Sequence, residues 1–257
     1  MRFPERPGGP LMWRRATLLT VTVLLVTACG TEADASASAP IASVAADPSA
    51  PIASVAADSS APSAGATPVL IEPAGAVEES HDLEAGTYVV DDPFPLRVSF
   101  AVPAGWVTWA YTSEASQLNV VKAEFGEVSF ELVDNVSADP CTPELLDPPV
   151  GASVDDLVTA LSDLDGFEVS APADITIDGF SGKQLTMTAP TDHRCRSLLT
   201  WRTTTRQNGV GPGEVNEVRI LDVDGVRLVI SVAQAPSLTD EARSEIDAVV
   251  DSIQIGP

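Results

Sequence analysis

The segment ILDVDGVRLVI, Ile220–Ile230, carries the clearest folding instruction in this chain. Two aliphatic runs, Val215 to Val223 and Val226 to Val232, flank the pair Asp224-Gly225. Asp-Gly suits a two-residue type I′ turn, in which both central residues need φ > 0. Branched side chains favour extended backbone, since their χ1 freedom is little reduced there. The segment therefore predicts an antiparallel hairpin. The turn also accounts for Asp222 and Asp224 without a metal: the twelfth position of a calcium loop opening at Asp222 falls on Ala233, where glutamate is needed.

The same pattern extends upstream. Val98, Phe100 and Val102 alternate with Arg97, Ser99 and Ala101, a half-buried strand. Short strands are also predicted over Thr87 to Val90, Trp106 to Tyr111, Leu118 to Ala123 and Val128 to Val133. Further ones follow at Ala173 to Ile177, Lys183 to Thr188 and Leu198 to Thr204, with a turn at Asp178-Gly179. Two helices interrupt them. Ser153 can cap the first, with Asp155 and Asp156 in its first turn and Leu157, Val158, Leu161 and Leu164 at helical spacing. The second runs from about Thr239 to Ser252, with Ala242, Ile246, Val249, Val250 and Ile253 on its apolar face. Strands, helix, strands and helix predict an α+β domain, an antiparallel sheet backed by two or more helices, over residues 86–257.

The N-terminus has a different character. Arg14-Arg15 precedes an uncharged run from Ala16 to Ala28. At about 1.5 Å per residue a helix of this length reaches about 20 Å, short of the roughly 30 Å hydrocarbon core. That suits the h-region of a signal peptide, which as a whole spans residues 1–28. The run ends in Val26-Thr27-Ala28-Cys29 followed by Gly30. These residues resemble the lipobox of bacterial lipoproteins, with Val26 where leucine is common. The resemblance implies a diacylglycerol on the sulfur of Cys29, a cleavage before it, and location at the extracytoplasmic face of the cell membrane. Two acyl chains suffice for stable anchoring where one binds reversibly.

Residues 29–85 read as a disordered tether. Alanine, serine and proline dominate, and an eleven-residue unit, Pro40 to Ala50, recurs as Pro51 to Ala61. Such a segment cannot bury enough apolar area to offset its ordering entropy. A coil of about 55 residues has an r.m.s. span of about 40 Å.

The formal net charge of −23 repels phosphate backbones, so nucleic acid is excluded as a partner. Beyond Cys29, two cysteines remain, Cys141 and Cys195, and outside the membrane a pair predicts a disulfide. His81 falls in the tether, and His193 sits among Asp192, Arg194 and Cys195. One histidine beside a disulfide cysteine does not supply a zinc set, and Gly179-Phe180-Ser181-Gly182 lacks the nucleophile-elbow spacing. No cofactor, metal site or catalytic residue is expected. Trp106, Trp109 and Tyr111 form a candidate ligand surface; the odd spacing of the two tryptophans puts them on opposite strand faces, one in the core.

FAVPAGW (Phe100 to Trp106), ITIDGFSGKQLTMTAP (Ile175 to Pro190), the hairpin and IDAVVDSIQI (Ile246 to Ile255) are similar to uncharacterised secreted and lipoprotein domains of actinobacteria, whose layout resembles the broad PsbP-like class. The matched positions are turns and core, so the resemblance implies a fold and a location but no activity. The expected function is a membrane-anchored, non-enzymatic binding or accessory domain, with an unknown envelope protein or small ligand as partner. The alternatives are an envelope hydrolase using acidic residues and an extracytoplasmic sensor working with a membrane protein. Two carboxylates converging in one cavity favour the hydrolase; a flat or aromatic-lined groove favours binding.

Overall fold

The computed structural model describes residues 67–71, 80–91, 94–109, 116–122, 126–204 and 206–256, all within the compact unit Ala56–Pro257. Cys29, Tyr111, the side chain of Trp109 and most of the tether lie outside the described residues. The first strands are β1 (Val69–Leu70), β2 (His81–Leu83), β3 (Gly86–Val90), β4 (Arg97–Val102), β5 (Trp106–Trp109), β6 (Gln117–Lys122), β7 (Gly126–Glu131) and β8 (Val133–Val136). Helix α1 (Val154–Ser162) follows. Then come β9 (Glu168–Val169), β10 (Ala173–Ile177), β11 (Phe180–Thr188), β12 (Leu198–Thr203), β13 (Gln207–Val210), β14 (Val215–Val223) and β15 (Val226–Gln234). Helix α2 (Asp240–Asp251) and β16 (Gln254–Gly256) close the chain.

This is a mainly β protein, which corrects the α+β expectation. Both helices form where the sequence puts them. However, the strands make three sheets rather than one, and several that pattern reading omits, such as β1, β2, β9 and β16, are only two or three residues long. A two-residue strand has no alternation to detect. Strands β1 and β2 also fall inside the expected tether, and His81 belongs to β2, paired with Thr108 of β5.

The largest sheet runs β10-β11-β14-β15-β7-β6-β5-β2, with β9 on β11. Its centre is the predicted hairpin. Asp224 and Gly225 hold φ of 52° and 88°, and Asp222 Oδ1 accepts a hydrogen bond from the Gly225 amide. The four-stranded sheet β1-β3-β4-β16 and α2 cover one face. Phe100, Val120, Val128, Phe130, Ile230 and Ile246 belong to that core, with the Phe100 and Phe130 rings stacked at 5.2 Å. Gly126 is where α2 comes closest: a Cβ there would sit 2.5 Å from Ile246 Cδ1.

The opposite face is divided. Under α1, capped by Ser153 through a capping box with Asp156, it is apolar: Leu157, Leu161, Leu185, Met187, Val218 and Ile220 pack together with Trp201. Beyond Val218 the same face turns polar and is covered by the β12–β13 hairpin of the third sheet, β13-β12-β8. The loop ahead of β12 is fastened by the Cys141–Cys195 disulfide, which the structure contains, and the Leu199 amide donates to Pro140 O. Among the described residues no helix is long and apolar enough to cross a membrane.

Candidate functional site

Strand register assembles the site. Glu127, Ser129 and Glu131 alternate along β7 and share one face. Their partners on β15 are Ala233, Ser231 and Val229, and on β6 Val121, Asn119 and Gln117. One strand further, Asn216 of β14 pairs with Ala233. The β12–β13 hairpin lies over these residues with Thr200, Trp201, Arg206, Gln207 and Asn208. The cavity between them is partly open and has a volume of about 300 Å³.

Glu131 is buried and fully engaged. Ser129 Oγ donates to its Oε1 at 2.6 Å, while Trp201 Nε1 and Asn208 Nδ2 donate to Oε2 at 2.5 and 2.6 Å. It thereby links β7 to both strands of the covering hairpin. Burial pushes its carboxyl above the usual range, against the pull of Ser129, Trp201 and Arg206. Glu127 is half-buried and takes one hydrogen bond, from Asn119 Nδ2 to Oε1 at 2.6 Å. Its carboxyl is pushed up to about 7, first by burial, then by the negative charge of Glu131, with Arg206 opposing.

Some buried side-chain oxygens near the carboxylates have no hydrogen-bond partner. Thr200 Oγ1 belongs to a cavity-lining residue that is 1% exposed, and Asn119 Oδ1 belongs to the side chain that holds Glu127, on a residue also 1% exposed. Buried polar groups are nearly always paired, and an unpaired one costs about 1–3 kcal/mol.

A larger cavity of about 590 Å³ opens between the start of α1 and the Asp224-Gly225 turn. Its cations are occupied: Lys183 Nζ pairs with Asp174 at 2.5 Å, and Arg227 donates to the carbonyls of Gly151, Ser153 and Val133.

Of the residues singled out from sequence, Trp106 is buried in the core, its Nε1 donating to Glu245 at 3.2 Å; it is not on a surface. Register pairs Trp109 with Asn119 at the backbone. His193 is half-buried beside the disulfide, with neither ring nitrogen hydrogen-bonded and no carboxylate or hydroxyl paired to it. Among the described residues no group of three His, Cys, Asp or Glu side chains is placed to hold a metal ion. Glu127 and Glu131 were not singled out, because charged residues alternating with Val128 and Phe130 read as a solvent face. The available signal is the chemistry of their neighbours: Gln117, Asn119, Ser129, Asn216 and Ser231 are short and uncharged, where an exposed strand face carries charge.

No protein-family model matches the chain, and neither does any curated protein sequence. Solved structures resemble it, these two among them. One is LpqN of Mycobacterium tuberculosis, described as involved in cell envelope biogenesis, at 16% identity and a TM-score of 0.36, covering 70% of this chain and 92% of LpqN. The other is the cyanobacterial PsbP of Synechocystis, at 13% identity and a TM-score of 0.36, covering 67% of this chain and 93% of that one. At a TM-score of 0.36 the likeness carries no further argument.

Proposed function

We propose that the chain is an extracytoplasmic lipoprotein, acylated at Cys29, whose folded unit binds a small polar ligand in the cavity between β7 and the β12–β13 hairpin. The lipobox, the short h-region and the tether support the location. One observation carries the binding role: a partly open cavity lined largely by polar side chains, Glu127, Glu131, Thr200, Arg206 and Asn208 among them. Ligand sites are concave and hold a few placed polar groups.

The hydrolase reading draws on the same place, since two glutamates line one cavity. Glu127 has the proton affinity of a general acid near neutrality. Glu131 offers no second catalytic carboxylate, because both of its oxygens accept bonds that hold the covering hairpin. Binding is therefore the reading adopted.

Labelling of producing cells with radioactive palmitate tests the location. Label on the wild type and none on Cys29→Ser is expected; an unlabelled wild type contradicts it. Small molecules co-purifying from intact cells, read by mass spectrometry, test the binding role. A compound recovered with the wild type and lost from Thr200→Val supports the cavity, and equal recovery from both places binding elsewhere.

A further inference from the structure

We infer that the solvent side of β12 and the loop before it form a docking stripe for a sparsely charged acidic polysaccharide, gripped by Arg194, Arg196 and Arg202. The inference is independent of the cavity on the other side of the hairpin. Residues 193–213 hold four arginines and no aspartate or glutamate, in a chain with 37 acidic and 14 basic residues. Asp192 and Glu214 bracket the stretch. Arg194 and Arg196 stand in the loop ahead of β12 and Arg202 on β12 itself, and all three are exposed.

Their freedom sets these three apart. Among the described residues none of them makes a hydrogen bond or an ion pair. The other described cations are engaged. Arg97, Lys122, Lys183 and Arg219 pair with carboxylates at 2.5 to 2.8 Å, Arg227 and Arg243 donate to amide oxygens, and Arg206 acts on Glu127 and Glu131. The nearby acids are held as well: Asp134 of β8 accepts from Thr204 Oγ1, and Asp139 Oδ1 from the Cys141 amide. One segment thus presents three guanidiniums to solvent, each with five N–H donors. The segment is also fixed in advance. Cys195, between Arg194 and Arg196, is bonded to Cys141, and the Leu199 amide donates to Pro140 O. Little backbone freedom is left to lose on binding, which favours affinity.

Arginine forks recognise carboxylate and phosphate groups. Charge density and shape decide which anion fits. The six residues of β12 alone extend about 20 Å, so the three charges are widely spaced. Duplex DNA carries a charge every 1.7 Å or so, far more than the arginines neutralise, and the surplus faces an acidic body. An anionic membrane meets the same repulsion across its whole width. At physiological salt, exposed charges act over about 8 Å. A slender chain laid along the stripe keeps within that distance of the arginines, and most of the acidic globule is screened from it. A carboxylated polysaccharide with well-separated charges satisfies both conditions. The location proposed for this protein, outside the membrane, is where such polymers occur.

Binding titrations of the full chain in about 0.1 M salt test this, with Cys29→Ser throughout so that no acyl group seats in a vesicle. The probes are hyaluronate, which bears one carboxylate per disaccharide, neutral dextran, and vesicles of phosphatidylglycerol and phosphatidylcholine in equal parts. Each is read against the triple variant Arg194→Gln, Arg196→Gln, Arg202→Gln, so that any contribution of the N-terminal segment cancels. Hyaluronate is expected to bind, to lose at least about tenfold in the triple variant with an unchanged circular dichroism spectrum, and to weaken as salt rises. Dextran should not bind. Arg202→Gln alone should lose several-fold, which carries the test should the triple variant misfold. Arg97→Gln removes the same charge from β4 and should change little. Equal hyaluronate binding by wild type and triple variant overturns the inference, as does a loss from Arg97→Gln as large as that from Arg202→Gln. No hyaluronate binding at all overturns it too. A larger loss on vesicles than on hyaluronate overturns it in favour of a membrane contact. None of these outcomes bears on the cavity, which the recovery experiment with Thr200→Val decides separately.

Discussion

Val128 and Phe130 point to one side of β7, and Glu127, Ser129 and Glu131 to the other. Both sides are covered. On the first, rings and aliphatic chains from α2 and the four-stranded sheet exclude water and leave little for a hydrogen bond to do. On the second, nearly every group is polar, and cover is possible only because Ser129, Trp201 and Asn208 surround Glu131 with donors. Burial is common to both, but its energetics are opposite. Apolar cover stabilises in proportion to area, about 25 cal/mol per Å², whereas polar cover is close to neutral when paired and costly when not. A face that is buried, polar and incompletely paired contributes little to holding the fold together, which is the reason to assign it a ligand.

The sharpest way to break this contrast is to cut each side in turn. Phe130→Ala removes a ring from the centre of the apolar side and should cost about 3–5 kcal/mol in urea denaturation. A loss near 1 kcal/mol would mean that the core lies elsewhere. Glu131→Leu keeps bulk on the polar side and strands three donors, for an expected loss of about 2–4 kcal/mol. Should the leucine variant prove more stable than wild type, the hydrogen-bonded cover is not what seats the hairpin.

Glu127 gives a smaller effect with a distinctive sign. Its carboxyl is raised from 4.5 to about 7 in the folded chain, so between those values the folded state holds a proton that the unfolded state has lost. Stability due to this group is therefore greatest below about pH 4.5 and falls as pH rises to about 7, by up to about 3 kcal/mol. Glu127→Gln should flatten that slope and be the more stable protein above pH 7, in denaturant melts across the range. A slope unchanged by the substitution contradicts the burial of Glu127. Smallest of all, Ser129→Ala should cost about 1 kcal/mol, since Glu131 keeps its other two donors.

The sequence made some of these features plain and concealed others, for physical reasons. The Asp224-Gly225 hairpin, the Ser153 cap and the apolar face of α2 are local, set by residues a few positions apart. All three are where pattern places them. The polar cavity is not local. Its cover comes from Trp201 and Asn208, some seventy residues beyond Glu131, and nothing within β7 announces that a hairpin will land on it. Alternation reports two faces, not what lies over each. The same limit produced the α+β expectation: strands such as β1 and β9 exist only through pairing with distant partners. The tether boundary moved for that reason as well, because His81 is ordered by β5 and not by its neighbours in sequence.

The central claim is that the polar side of β7 is a receiving site and not a second core. A crystal structure of the full-length chain purified from producing cells without denaturation measures this most directly. A compound retained in the cavity, with a polar atom within about 3 Å of a lining side chain such as Glu127 or Asn208, is the expected result. A cavity closed by rearranged side chains, or a compound seated only on the outer surface, would contradict it.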